Sequence, residues 1–321
     1  MNESDETESL LNALADGQLA PAARLITRIE RADPTVTPLL TQLYSRGRNS
    51  LQLGITGPPG AGKSTLINQL ISAYRHQHKR VAVLAVDPSS PFSGGAILGD
   101  RVRMNQHATD PDVFIRSMAS RGQLGGLAKS TGDALTVLDA MNFDVIIIET
   151  VGVGQSEIDI LRHAQCVLLL QTPESGDRIQ AVKAGLMEIG DIYIVNKADH
   201  EGAAAMARGI TEMLHFQTTK AEADAWLPPV VETEAVNGKG VDQLLASIEQ
   251  YHQHLKRHPD QALQRDMQRL RHRLMDICQQ LTRQQLFSPS TDHAELEQSL
   301  EQVAKRLADP YSLAEQMVRL K

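Results

Sequence analysis

The chain has 321 residues and a mass of 35.2 kDa, which by ordinary domain size is about two domains and ample length to bury an apolar core. Lys and Arg number 32 against 39 Asp and Glu, a formal charge of −7 with no long basic run, so the electrostatic footprint of a nucleic-acid binder is missing. Five Phe, five Tyr and one Trp are too few for surfaces that stack bases or glycans, and the core must be built from aliphatic side chains.

Cys166 and Cys278, the only cysteines, lie far apart and in no C-x-x-C spacing, so neither a structural zinc site nor a disulfide framework is readable and a reducing compartment fits best. The first residues are acidic (Glu3, Asp5, Glu6, Glu8), unlike the cationic start of a secretory signal or an Arg-rich transit peptide. No apolar run approaches the ~18 residues that span a bilayer. A cytoplasmic protein without membrane or nucleic-acid partners is expected.

Over residues 8–46, Leu10, Leu11 and Leu14, then Leu25, Ile26 and Ile29, then Leu39, Leu40 and Leu43 recur at helical spacing, with Pro21, Pro34 and Pro38 as breaks. Two or three short helices are predicted. From residue 51 the pattern changes to short β-branched runs at 51–56, 81–86, 113–117, 144–149, 167–171, 192–196 and 229–235, separated by helical stretches. Strands that are apolar on both faces and alternate with helices predict a mostly parallel sheet covered on both sides, the doubly wound α/β class. After Gly240 the strand-like runs stop. Leu244, Leu245, Ile248, Tyr251 and Leu255 mark an amphipathic helix that His258 and Pro259 end. The helix after it carries Leu263, Met267, Leu270, Leu274, Ile277 and Leu281 in alternating steps of four and three, a heptad seam that either packs on its own chain or pairs with a second copy. The expected organisation is an N-terminal helical segment over 1–48, a nucleotide-binding core over 49–250 and a C-terminal helical arm over 251–321.

The run Gly57-Pro58-Pro59-Gly60-Ala61-Gly62-Lys63-Ser64 satisfies G-x-x-x-x-G-K-[ST] and sits between a predicted strand and a predicted helix, the context the motif requires. Its glycines let successive backbone N–H groups turn toward an anion, Lys63 can reach the β- and γ-phosphates, and Ser64 can ligate Mg²⁺, with Thr65 next along the helix. A Gly-rich turn that merely capped a helix would not need the Lys-Ser pair. The strand 144–149 ends in Glu149, followed by Thr150, Val151 and Gly152. An acid that ends a buried strand is expensive unless it serves a metal, a water or a hydrogen-bond network, so Glu149 is read as the magnesium-side and γ-phosphate-sensing acid. Asn196-Lys197-Ala198-Asp199 then follows a strand and matches N-K-x-D. The Asp199 carboxylate can accept from guanine N1–H and its exocyclic amine together, a donor pair that adenine lacks. Thr233-Glu234-Ala235-Val236 ends the last strand, where Ala235 and Val236 would touch the base. GTP, GDP and Mg²⁺ are the implied ligands.

Together with Val86-Asp87-Pro88-Ser89-Ser90-Pro91, Leu98-Gly99-Asp100-Arg101-Val102-Arg103-Met104 and the string Glu149-Thr150-Val151-Gly152-Val153-Gly154-Gln155-Ser156-Glu157, these motifs resemble the MeaB/ArgK family of P-loop GTPases over nearly the whole chain. The resemblance implies a homodimeric, metallochaperone-like GTPase that assists adenosylcobalamin-dependent methylmalonyl-CoA mutase in cofactor loading, protection or reactivation. It also implies that Asp87, Asp100 and Glu149 are magnesium-side or switch carboxylates, and that 171–183 is an additional switch in which Asp177 and Lys183 report nucleotide state. The bland alternative for that stretch is a strand-to-helix loop with Asp177 as a cap. Val153 stands where Ras-like enzymes carry the water-orienting Gln, and Gln155 lies two residues on, so slow intrinsic hydrolysis accelerated by the partner is expected. Asp100 and Gln155 join Lys63 and Glu149 as candidate catalytic residues. His76, His78, His252, His254 and His258 read as separate solvated side chains rather than a metal cluster. Two rival functions remain, a kinase or ATPase of amino-acid transport, against which the chain lacks H-R-D and D-F-G motifs, and a helical dimer scaffold with a structural nucleotide.

Overall fold

Each apolar run predicted as a strand forms one, with its ends within two residues of the expected bounds: β1 (Leu51–Thr56), β2 (Val81–Asp87), β3 (Val113–Ala119), β4 (Val145–Glu149), β5 (Cys166–Gln171), β6 (Ile192–Asn196) and β7 (Val230–Thr233). The computed structural model describes residues 3–47, 50–87, 105–107, 109–119, 129–150, 159–173, 188–218 and 225–286, and beyond them 298, 301, 302, 304–306, 309 and 312. The strands pair in the order β3-β2-β4-β1-β5-β6-β7, every pairing parallel. β1 leads to β2 on one side of the sheet whereas β4 leads to β5 on the other, so the chain's direction of winding reverses between β1 and β4. A crevice opens at such a reversal, outside the carboxyl ends of the strands.

The alternation of side chains along each strand divides the core in two. Leu53, Ile55, Val83, Ile147 and Leu168 face α4 (Lys63–His76) and α7 (Val241–Arg257). Leu84, Ile146, Ile148, Val167 and Leu169 face the other side, covered by α1 (Glu3–Ala15), α2 (Leu19–Glu30), α3 (Thr37–Tyr44), α5 (Lys129–Ala140) and α6 (Ala203–Thr218). Most of the leucines and isoleucines that spaced the N-terminal helices in sequence are buried here: Leu14, Leu25, Ile26 and Leu43 lose nearly all exposure, and Leu10 and Leu40 are half-buried against them. Gly54 is a requirement of close packing. A Cβ there would lie 2.6 Å from Ile160 Cδ1 and 2.7 Å from Ala164 Cβ, because the short turn Ile160–Arg162 rests directly on β1.

The chain forms two compact units, Met1–Arg269 and Leu270–Lys321, and helix α8 (Pro259–Leu286) begins in the first. Its first turns are anchored at the amino end of the sheet. Asp191, buried just before β6, accepts from the Val167 N–H at 2.9 Å and from Arg265 Nη2 at 2.8 Å, and its backbone carbonyl accepts from Trp226 Nε1 at 2.8 Å. Burial pushes the Asp191 carboxyl up, and Arg265 opposes that shift. Arg269 pairs with Asp266 and donates to the Ala164 carbonyl. The expectation of solvated histidines fails at His254, which is buried with its ring centroid 5.3 Å from Trp226 and 4.2 Å from His258. The helix looks polar there in sequence, but Trp226 arrives from a distant loop to cover it. Farther along α8, Leu263, Met267, Leu270, Leu274 and Leu281 are between 46% and 61% exposed, which leaves all of the heptad seam but the half-buried Ile277 on the surface. Among the described residues no helix is long and apolar enough to cross a membrane.

Candidate nucleotide site

A cleft of about 700 Å³ lies at the carboxyl edge of the sheet, within the size range of sites for small ligands and cofactors. One wall is the loop from β1 into α4. Gly62 caps the helix at φ 92°, a left-handed conformation that suits glycine, and a Cβ there would stand 2.4 Å from the Asn196 amide nitrogen. Lys63 is buried at the helix start, where its ammonium donates to the carbonyls of Gly57 at 2.9 Å and Pro58 at 3.2 Å. The loop thus presents a helix N-terminus, backbone N–H groups and a positioned cation to the cleft, the requirements for holding an anion. Pro59, Gly60, Gly62, Lys63, Ser64 and Thr65 line the wall.

At the reversal between β1 and β4, Ser64 Oγ donates to Glu149 Oε1 at 2.9 Å, and both side chains are buried. Two motifs 85 residues apart in sequence therefore meet at one point. A hydroxyl and a carboxylate are hard oxygen donors of the kind Mg²⁺ prefers, and their place beside the phosphate-type loop fits that ion with phosphate oxygens and waters completing the shell. Asp87 closes β2, two residues past Ala85, which is in register with Glu149.

The opposite wall is built on β6 and β7. Asn196 ties three segments together: its Nδ2 donates to the Ala61 carbonyl at 2.7 Å, while its Oδ1 accepts from Thr233 Oγ1 at 3.0 Å and the Ala235 N–H at 3.1 Å. The turn after it holds Lys197 at φ 58°, uncommon away from glycine, and the Ala198 N–H donates to the Thr233 carbonyl at 3.0 Å. Lys197, Asp199, Ala235 and Val236 line this side. Asp199 is 57% exposed at the mouth and His200 Nε2 stands 3.8 Å from its carboxylate. Glu234 and Lys239 pair across a β-bridge at 2.5 Å, and that bond holds the Glu234 carboxyl below its ordinary value. His200 and Asn237 line the cleft without having been singled out in sequence. Their one signal is position, directly after Asp199 and after Val236. Asp100, Gln155, Asp177, Lys183 and the Asp87 side chain lie outside the described residues.

A glycine loop capping a helix at the reversal point of a parallel sheet, with an acid-ended strand beside it, defines a P-loop nucleotide-binding protein. The sequence profile of a family described as Methylmalonyl Co-A mutase-associated GTPase MeaB matches residues 22–291. A Pyrococcus abyssi protein named provisionally as a GTPase is 43% identical over 312 residues, 97% of this chain and 96% of its own length. GTPase ArgK of Escherichia coli is 39% identical over 255 residues, 77% of this chain and 76% of its own. A crystal structure named LAO/AO transport system kinase superposes with a TM-score of 0.72 at 28% identity, across 100% of this chain and 98% of its own. The chain belongs to the MeaB family of P-loop GTPases.

Proposed function

We propose that the chain uses the binding and hydrolysis of GTP as the switch of a chaperone for adenosylcobalamin-dependent methylmalonyl-CoA mutase, acting in cofactor loading, protection or reactivation. The observation that carries this reading is the family match over residues 22–291, whose description names association with that mutase. The geometry supports the chemistry. The loop 57–64 and the α4 N-terminus would hold the phosphates, and Lys63 would exchange its bonds to Gly57 and Pro58 for the β- and γ-phosphate oxygens. Asp199 would read guanine N1–H and the exocyclic amine, with Ala235 and Val236 against the base. Ser64 and Glu149, with Asp87 and Asp100 as further acids, would hold Mg²⁺, which when bound neutralises charge on the β,γ-bridge and γ oxygens. Water adds to the γ-phosphorus as the bond to the bridging oxygen breaks, giving GDP and phosphate. Gln155 is the proposed group that orients that water, and Asp177 and Lys183 report the outcome to the partner.

With Val153 at the position of the water-orienting Gln, turnover by the chain alone is slow and rises when the mutase orders the site. In single-turnover assays, added methylmalonyl-CoA mutase is expected to raise the GTP hydrolysis rate at least about tenfold, and a pull-down is expected to capture the mutase differently with GDP and with a GTP analogue. Fast hydrolysis by the isolated chain, unchanged by mutase, overturns the partner assignment. The transport-kinase name of the 28% identical structure favours a second reading, phosphoryl transfer, and binding of ATP tighter than GTP by the unmodified chain would support it. No turnover even with mutase would leave a scaffold with a structural nucleotide.

The exposed seam on α8 supports a homodimer. Light scattering is expected to give twice the chain mass, and the double variant Leu270→Glu, Leu274→Glu to give the single-chain mass. A monomer in both cases removes the dimer from the proposal.

A further inference from the structure

Val236 is 82% exposed, the highest value for a large apolar side chain among the described residues, and it lines the cleft. It stands at the tip of the loop 234–239, which main-chain bonds close: the Glu234 N–H donates to the Lys239 carbonyl at 3.0 Å, and the Asn237 N–H to the Glu234 carbonyl at 3.0 Å. Gly240, at φ 81°, turns the chain back so tightly that a Cβ there would stand 2.2 Å from the Glu232 carbonyl. Side chains close the loop a second time. The Glu234 carboxylate accepts from Lys239 Nζ at 2.5 Å and from Asn237 Nδ2 at 3.3 Å, with its side chain 13% exposed and that of Lys239 74%. The bond to Glu234, and then the charges of Glu234, Asp199 and Glu232, hold the Lys239 ammonium above its ordinary value. The root of the loop is fixed separately, by the Ala235 N–H on Asn196 Oδ1. The tip depends on the pair. Asn237 and Gly238 already suit a turn, and an ion pair this exposed adds little to global stability, so its place beside the cleft is the informative part.

We propose that Lys239 is a positioning residue: through Glu234 it holds the loop 234–239 closed beside the guanine position, with Val236 against the base, and so sets how long a guanine nucleotide stays bound. This rests on the placement of the base between Asp199 and Val236 proposed above, and names the group that keeps that wall in place. A wall formed in advance loses less conformational freedom on binding, and the gain falls mainly on the dissociation rate. Because the base is common to GDP and GTP, both are held alike.

The test uses the full chain with Lys239→Met, which keeps the stem and removes the ammonium, with Lys239→Arg, which keeps the charge, and with the double variant Glu234→Ala, Lys239→Ala. Release of fluorescent GDP and of a fluorescent non-hydrolysable GTP analogue is followed by stopped flow with Mg²⁺, the affinity for inorganic pyrophosphate by calorimetry, and unfolding by heat without nucleotide. Lys239→Met is expected to release both nucleotides about threefold faster, with pyrophosphate affinity within about twofold and the melting temperature within about 2 °C of the unmodified chain. Lys239→Arg is expected to restore slow release, and the double variant to release as fast as Lys239→Met. Slow release by the double variant would show that Lys239 only neutralises Glu234 beside the base, and would overturn the proposal. Release unmoved by Lys239→Met, no rescue by Lys239→Arg, a pyrophosphate affinity that falls as far as that for GDP, or a Lys239→Met chain that melts several degrees lower or does not fold would each do the same while leaving the nucleotide site standing. An unmodified chain that binds neither nucleotide overturns that site as well.

Discussion

Replacing Asp199 with Asn is expected to weaken GTP binding by about a hundredfold or more and to make xanthosine triphosphate the preferred nucleotide. Guanine presents two donors, N1–H and the exocyclic amine, and a carboxylate accepts both. The Asn amide offers one acceptor and one donor, so one of its poles faces a like pole of guanine. Xanthine carries a carbonyl in place of the amine and matches the Asn amide at both positions. Each charge-assisted bond is worth about 1.5–3 kcal/mol and tenfold in affinity corresponds to about 1.4 kcal/mol, so losing one bond and facing a repulsive contact gives the stated loss. Asp199 is 57% exposed and the turn that carries it is held by main-chain bonds and by Asn196, so the melting temperature should not move. Displacement titrations with GTP, XTP and ATP measure the effect. A variant that still prefers GTP would remove Asp199 from base recognition.

Lys63→Ala should lower single-turnover GTP hydrolysis by about 10²–10³-fold, the loss typical of one preorganised group facing transition-state charge. The ammonium is already held over the loop by the carbonyls of Gly57 and Pro58, so its position at the cleft is set before it exchanges those bonds for phosphate oxygens. The rate should fall more than the affinity for GDP does, because the charge that Lys63 answers is largest on the β,γ-bridge and γ oxygens as the bond breaks. Ala removes the cation while keeping the helix, since its intrinsic helix propensity is at least that of Lys. Equal losses in GDP affinity and in rate would show uniform binding rather than catalysis.

Strand positions were legible because parallel strands buried on both faces leave continuous β-branched runs, and 51–56 and 192–196 were bounded to the residue. The phosphate-type loop and the N-K-x-D turn were legible because each is local: a handful of adjacent residues fixes the geometry. What sequence did not disclose is pairing at a distance. Asn196 reads as a base-recognition residue, but its three bonds join Ala61, Thr233 and Ala235, which only the sheet brings together. Gly54 gave no signal, since its need for glycine comes from Ile160 and Ala164 more than 100 residues later. His254 looked solvated because the 3.6-residue pattern knows nothing of Trp226, and Asp191 drew no reading in sequence because its partner Arg265 lies 74 residues away.

The bonds of Asn196 also set a thermodynamic reciprocity. One side chain braces the loop proposed to hold the phosphates through Ala61 and the loop proposed to touch the base through Ala235, so the two walls share one support. Whatever factor a bound base contributes to the affinity for the phosphates, the phosphates return to the base in equal measure. A nucleoside or a pyrophosphate alone is therefore expected to gain less than its share of the affinity of the whole nucleotide, which competition titrations of each fragment would measure.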